Sequence, residues 1–449
     1  MPAGWRRGEV AVVGLARSGA AATRWLAKEG VAVYASDRGD SPALRRTAAE
    51  LAGPGVTVTL GSHDLERIGR AVAVIVSPGV PPDAPPMLAA RARGVPVLAE
   101  LDLGVQALDG VRVVGVTGTN GKTTTTALIA HLLEAAGIRA AAAGNIGRPL
   151  IQLAALPDPP AWAAVEVSSF QLHDAPHLAP AIGVITNLAP NHLDRYATLA
   201  VYYAEKRLLF RNARADSVWV LNGDDAAVLE LAAGAKGRVV RFGGRGRHDA
   251  WWDRSGGTLM LGADRLLERA RLPLLGDHNV ENALAAALAA RAAGADTGAI
   301  ATGLASFRGL PHRLELVGEV RGVRWFNDSK ATNVASAAVG LKAMDRPYEW
   351  IAGGRHKGEP YAPLVPLLQE RCKAAVVLGE AAELIAHDVG GAVTVERSRD
   401  LADAVARAAR LTEAGDAVLL SPACSSYDMF TNYEERGAVF RQLVGDLPR

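Results

Sequence analysis

The sequence predicts an α/β protein of three domains built on mostly parallel sheets. Three observations carry that reading. The chain has 449 residues, room for three domains at roughly 150 residues each. Short apolar runs ended by glycine or a turn alternate with helical stretches along its whole length. A glycine-rich loop at 115–123 stands between one such run and a helix, where α/β proteins hold phosphate.

The elements follow in order. Glu9 to Val13, closed by Gly14, reads as a buried parallel strand. After Gly14-Leu15-Ala16-Arg17-Ser18-Gly19 comes a helix through Glu29, then a strand from Val31 to Ser36 ending at Asp37, which makes a βαβ start. Val72 to Val76 is a further strand with a turn at Ser77-Pro78-Gly79. The second domain opens with a strand at Val113–Val116 and a helix from Thr123 to Ala136, with Gly137 as its C-terminal stop. Trp162–Val167 and Ile182–Thr186 are strands; Leu199–Phe210 and Asn279–Ala293 have helical periodicity. Gly309-Leu310-Pro311-His312-Arg313 punctuates the chain as a linker. Beyond it, strands are expected at Val323–Phe326, Glu349–Ala352, Ala374–Leu378 and Ala417–Leu420. The domains are placed at 1–108, 109–308 and 309–449.

Composition narrows the class. Apolar residues make up 49% and charged residues 21%, so each domain can bury a core, and with aromatics at 5% those cores must rest mainly on Ala, Val and Leu. A net charge of +2 gives no reason to expect a nucleic acid or a membrane surface as partner. Two cysteines exclude a disulfide scaffold. No secretory h-region and no long uncharged apolar run is present, so the expected compartment is the cytoplasm. A monomer is taken as the default state, which the sequence leaves open.

Gly115-Val116-Thr117-Gly118-Thr119-Asn120-Gly121-Lys122-Thr123 departs from strict Walker A spacing, which needs glycine at 116. It keeps strand, glycine loop, Gly-Lys-Thr and helix in the order a phosphate loop requires. Lys122 suits the β/γ-phosphates and the Thr123 hydroxyl suits Mg²⁺; the loop alone does not choose ATP over GTP. Glu166 ends an apolar strand, where an unpaired carboxylate is costly and a Mg²⁺ ion, a backbone N–H or Ser168 would satisfy it. His192 lies in a loop after a strand, where ligands of parallel sheets gather, although a lone loop histidine is also an ordinary surface or capping residue. Leu199, Tyr202, Lys206 and Leu209 share one helical stripe, which turns Lys206 inward. A lysine there must pair, snorkel or lose its charge, and a neutral amine can take up CO₂ as a carbamate. The loop after the first strand has Ala16 where a dinucleotide fingerprint has its middle glycine, which disfavours NAD.

The segments GVTGTNGKTT at 115–124, EVSSFQL at 166–172, Asn187 through His192, LGDHNVEN at 275–282, GLPHRLE at 309–315, NDSKATN at 327–333 and SPACSSYDMFTNYEERG at 421–437 together resemble the Mur ligase family. They run in family order over essentially the whole chain and are most similar to the branch that adds D-glutamate to UDP-N-acetylmuramoyl-L-alanine. Another Mur-type or folylpolyglutamate-type amide ligase is the alternative. The resemblance implies a Rossmann-like N-terminal domain for the UDP-sugar, a central P-loop-type ATP domain and a Rossmann-like C-terminal domain for the incoming amino acid. It implies ATP and two Mg²⁺ ions, and a reaction through an acyl phosphate. By the same resemblance, Gly118, Thr119, Asn120, Gly121, Lys122, Thr123, Thr124, Asn282, Arg313 and Asp328 belong to the ATP site. Thr123 and Glu166 would serve one Mg²⁺, with His192 and a carbamylated Lys206 at the second. The UDP-sugar is implied near Leu15, Ala16, Arg38 and Gly79, with Asn145 toward its muramoyl part and His192 among the substrate residues as well. D-Glutamate is implied at Thr332, Lys357, Ser426 and Tyr433; the family commonly has phenylalanine at the last.

Overall fold

The computed structural model describes residues 3–190, 196 and 198–448. Three sheets carry the chain, and contacts group it into two compact units, Met1–Leu272 with Val280–Ala305, and Pro273–Asn279 with Ser306–Arg449.

The first unit holds two sheets. One is fully parallel, in the order Val56–Leu60, Ala32–Asp37, Glu9–Val13, Ala73–Val76, Val97–Ala99. Its central run Val10–Val13 is buried on both faces, as a strand covered by helices on both sides must be. The other has nine strands. Its parallel part runs Ala140–Gly144, Trp162–Glu166, Arg112–Thr117, Ile182–Ile185, Val218–Asn222, Arg238–Gly243, Ala250–Asp253. Two antiparallel strands, Thr258–Leu261 and Asp264–Glu268, extend that edge. The phosphate-loop strand Arg112–Thr117 lies between Ile182–Ile185 and Trp162–Glu166, so the loops bearing Lys122, Glu166 and Asn187 leave the same end of the sheet. The expected helix at Leu199–Phe210 is α over Leu199–Arg207 and tightens to a 3₁₀ turn over Leu208–Phe210.

Between these two sheets the chain passes through the helix Glu100–Ala107. Buried Asp102 accepts from the His177 backbone N–H at 2.8 Å and stands 2.8 Å from its ring Nδ1. Buried Glu100 accepts from the Ile151 N–H at 2.8 Å. The two sheets of this unit are thus tied by carboxylates that sit inside it.

The second unit has a six-stranded sheet ordered Glu315–Val320, Val323–Asn327, Ala417–Leu420, Tyr348–Gly353, Cys372–Leu378, Thr394–Arg397. All pairs are parallel except the edge strand Glu315–Val320. The cores are rich in Ala, Val and Leu, as composition requires, but the few aromatics stand at their centres: Trp219, Trp325 and Trp350 are among the largest fully buried side chains.

Candidate functional site

The phosphate loop leaves the strand at Thr117 and enters the helix Lys122–Ala135. Gly121 caps that helix in a left-handed conformation at φ 80°, and a Cβ there would meet the Asn282 Oδ1 at 2.2 Å. Gly118 is at φ 144°, and its Cβ would stand 2.0 Å from the Thr186 Oγ1. Both positions therefore require glycine, for conformation and for space. The loop is braced from the next strand. The Asn187 carbonyl accepts from the Thr119 N–H at 2.9 Å, and its side chain accepts from the Asn120 N–H at 2.9 Å. Thr186 donates its hydroxyl to the Asn120 carbonyl at 2.6 Å, and Asn222 secures the Thr186 carbonyl at 3.0 Å. Asn282 accepts from the Thr125 hydroxyl at 3.2 Å, on the first turn of the phosphate-loop helix.

Two amines meet on one carbonyl. Lys122 Nζ donates to the Gly118 oxygen at 3.0 Å and the Thr119 oxygen at 2.8 Å; Lys206 Nζ donates to the same Gly118 oxygen at 2.8 Å. Lys206 is 1% exposed, as the helical stripe predicts, and its Nζ lies 4.6 Å from the centre of the Tyr202 ring. Burial, and then the neighbouring Lys122 charge, pull its amine down to about 6. Among the described residues it has no carboxylate partner, so the ordinary ion pair that sequence alone left open is not seen there.

Glu166 is 3% exposed at the end of its strand. Its Oε1 accepts from Asn145 Nδ2 at 3.0 Å, while its Oε2 is buried with no hydrogen-bond partner. Ser168 does not satisfy it, being engaged in a capping box with Gln171. An orphaned carboxylate oxygen next to a phosphate loop is what a divalent cation would complete. His192 lies outside the described residues. Thr123 and Thr124 stand in the first turn of the helix behind Gly121.

Ala16, Arg38, Gly79 and Asn145 all line one cleft of about 830 Å³ in this unit, between the loops of the first sheet and the Gly144–Pro149 loop of the second. Leu15 differs: its side chain is buried in the core, and its backbone N–H donates to Asp37 at 2.7 Å, so only its backbone faces the loop. Sequence reasoning missed Arg17 and His63, which line the same cleft. Both follow turn glycines or precede helices in the sequence, a signal too common to single them out.

In the second unit, Asp328 is buried and accepts from the Ser421 hydroxyl at 2.8 Å and the Leu314 N–H at 3.3 Å; burial pushes its carboxyl up to about 7. Arg313 is exposed in the turn Leu310–Arg313. Thr332 and Lys357 stand together, with Lys357 Nζ 3.3 Å from the Thr332 hydroxyl. Ser426 is buried, and Tyr433 starts the helix Tyr433–Gly445 with Lys330 Nζ 5.2 Å from its ring centre. Arg436 was not foreseen. It is buried and ties the Ser329 hydroxyl and carbonyl to the Cys424 carbonyl, so it joins the NDSKATN and SPACSS segments.

Known proteins resemble this chain. The Mur ligase middle domain matches residues 116–290, the glutamate ligase domain of Mur ligases matches 312–424, and the MurD-like N-terminal domain of Mur ligases matches 8–99. The chain belongs to the Mur ligase family. It is 45% identical to the UDP-N-acetylmuramoylalanine--D-glutamate ligase of Anaeromyxobacter dehalogenans over 98% of each chain. It is 44% identical to the enzyme of that name from Myxococcus xanthus, over 97% of this chain and 98% of the relative. Among solved structures, the UDP-N-acetylmuramate-alanine ligase MurC of Thermotoga maritima aligns over 98% of this chain and 99% of its own at TM-score 0.63 and 18% identity. A Mycobacterium tuberculosis folylpolyglutamate synthase complexed with ADP aligns over 78% of this chain and 94% of its own at TM-score 0.58 and 20% identity. Those two likenesses are of fold.

Proposed function

We propose that this chain joins D-glutamate to UDP-N-acetylmuramoyl-L-alanine at the expense of ATP, as a cytoplasmic monomer in peptidoglycan precursor synthesis. The observation that carries the chemistry is the pairing of Lys122 and Lys206 on the Gly118 carbonyl beside a phosphate loop. A carboxylate does not condense with an amine at neutral pH, so it needs a better leaving group. Phosphorylation by ATP supplies one: the substrate carboxylate oxygen attacks the γ-phosphorus, ADP leaves, and an acyl phosphate forms. The D-glutamate amine then attacks the acyl carbon, loses a proton and expels phosphate. Such transfers depend on positioning and charge neutralisation. Lys122 and the amino end of its helix supply positive charge, and the brace from Thr186 and Asn187 holds the loop rigid.

Two Mg²⁺ ions would complete the site, and the orphaned Glu166 Oε2 supports the first of them. Thr123 and the orphaned Glu166 Oε2 would hold one, and His192 with Lys206 the other. When bound, the ions neutralise charge on the phosphoryl oxygens. For Lys206 to serve, its neutral amine adds to CO₂ and releases a proton, which leaves an anionic carbamate. A buried amine resting on a carbonyl, with no carboxylate near it among the described residues, supports that step.

The domains at 1–108, 109–308 and 309–449 divide the work. UDP-sugar would occupy the cleft lined by Ala16, Arg38, Gly79 and Asn145, ATP would use the loop with Asn282, Arg313 and Asp328, and D-glutamate would meet Thr332, Lys357, Ser426 and Tyr433. Phosphate release from ATP tests the reading. It should require both UDP-N-acetylmuramoyl-L-alanine and D-glutamate and fail with L-glutamate; release with a folate or a longer muramoyl peptide instead would overturn it.

A further inference from the structure

Two loops of the second unit carry Lys357 and Ser426. They follow the neighbouring parallel strands Tyr348–Gly353 and Ala417–Leu420. Backbone bonds join them: Arg355 N–H donates to the Ser425 carbonyl at 2.9 Å, Ser425 N–H returns to Arg355 at 3.2 Å, and Gly353 N–H donates to Pro422 at 2.9 Å. Side chains join them a second time. The His356 Nδ1 lies 3.1 Å from the Tyr361 hydroxyl, and that hydroxyl lies 2.9 Å from the Cys424 Sγ.

This second connection is more than core filling. Tyr361 is 1% exposed, and a phenylalanine would pack the same ring. Hydroxyls buried in this unit do not find partners automatically, since that of Tyr348 has none. The Tyr361 hydroxyl has two, one on each loop. Its own backbone is fixed, the N–H donating to Asp388 at 2.8 Å. Burial keeps the Cys424 thiol protonated. The chain of donors is then complete if the thiol donates to the phenol and the phenol to His356 Nδ1. His356 precedes Lys357 directly, so the ring's position fixes the backbone from which Lys357 projects toward Thr332.

We propose that His356, Tyr361 and Cys424 form a positioning relay for the incoming amino acid, holding the Lys357 loop in register with the Ser426 loop. None of the three touches substrate; they act through Lys357. The inference rests on the reading above that Lys357 and Ser426 receive an acidic amino acid.

The test is steady-state kinetics of the full chain with each substrate varied in turn, on Tyr361→Phe, His356→Ala, His356→Asn and Cys424→Ser. Loss of one such hydrogen bond is expected to raise the KM for D-glutamate about five- to tenfold for Tyr361→Phe and His356→Ala. kcat and the KM values for ATP and UDP-N-acetylmuramoyl-L-alanine should hold within about twofold. His356→Asn keeps an acceptor near the Nδ1 position and should recover most of the loss; Cys424→Ser keeps a donor and should resemble the parent. Variants that melt earlier but keep the parental KM for D-glutamate would overturn the relay, as would equal rises in all three KM values. A parent chain that does not use D-glutamate at all would instead overturn the reading on which the relay rests.

Discussion

Glu349 offers a sharp test of how burial sets this protein's stability. It lies in the strand Tyr348–Gly353, fully buried, with neither carboxylate oxygen hydrogen-bonded. Burial first, and then the nearby Asp416 charge, push its carboxyl from 4.5 up to about 7, although Lys373 at 3.9 Å pulls the other way. Because the folded value lies above the unfolded one, the folded state binds the extra proton between pH 4.5 and about 7. Stability from this group is therefore intact below the unfolded value and falls as pH rises through the folded one. At 1.36 kcal/mol per unit, the loss is about 3 kcal/mol once both states are ionised, with the partial neutralisation by Lys373 already counted. Glu349→Gln keeps the shape and removes the charge. Urea unfolding of the full chain, followed by hydrogen exchange at the amides of the strand Tyr348–Gly353, should show the variant gaining about 1–3 kcal/mol at pH 8 relative to its difference from the parent at pH 5. A difference between parent and variant that is the same at both pH values would refute the argument, because it would mean that Glu349 does not change its charge in the fold.

Other substitutions report on the site. Lys122→Ala should cost at least a hundredfold in kcat with an unchanged circular dichroism spectrum, about the loss expected when a charged transition-state donor is removed; near-parental turnover would reject the phosphate-loop assignment. Lys206→Ala should be nearly inactive, and added short-chain carboxylates should restore part of the rate if the lysine acts as a carbamate; absence of any loss would remove it from the site. Gly118→Ala must place a Cβ against the Thr186 hydroxyl at φ 144°, so ATP binding measured by calorimetry should fall at least tenfold. Tight ATP binding by that variant would show that the loop tolerates a shift.

Much of the fold was legible because its strands are apolar runs buried on both faces, so their ends are marked by glycine or by a polar residue. Val10–Val13, Arg112–Thr117 and Ala417–Leu420 are of this kind. The strands Asp264–Glu268 and Glu315–Val320 were not legible, since half-exposed short strands carry no such run; Thr258–Leu261 is mostly buried, but four residues are too few to stand out. The inward face of Lys206 could be read from helical spacing, but its contact with the Gly118 carbonyl could not, because 88 residues separate them. The cleft residues Ala16, Arg38, Gly79 and Asn145 came from family likeness, whereas Arg17 became visible only once two loops distant in sequence formed one wall. The relay of His356, Tyr361 and Cys424 has the same origin: nothing in the spacing of a histidine, a tyrosine and a remote cysteine announces that one hydroxyl meets both of the others.

Asn145 faces the cleft and at the same time grips Glu166. One amide thus reaches two places, the cleft through the loop it stands on and the Glu166 carboxylate through its Nδ2. On the proposed function, a ligand that settled that loop would also settle the carboxylate, and a divalent ion held by Glu166 would then bind more tightly. Thermodynamic reciprocity would then have the ion tighten the hold on the cleft ligand by the same factor. The order in which the two arrive does not alter the sum, and a measurement of either affinity carries information about the other.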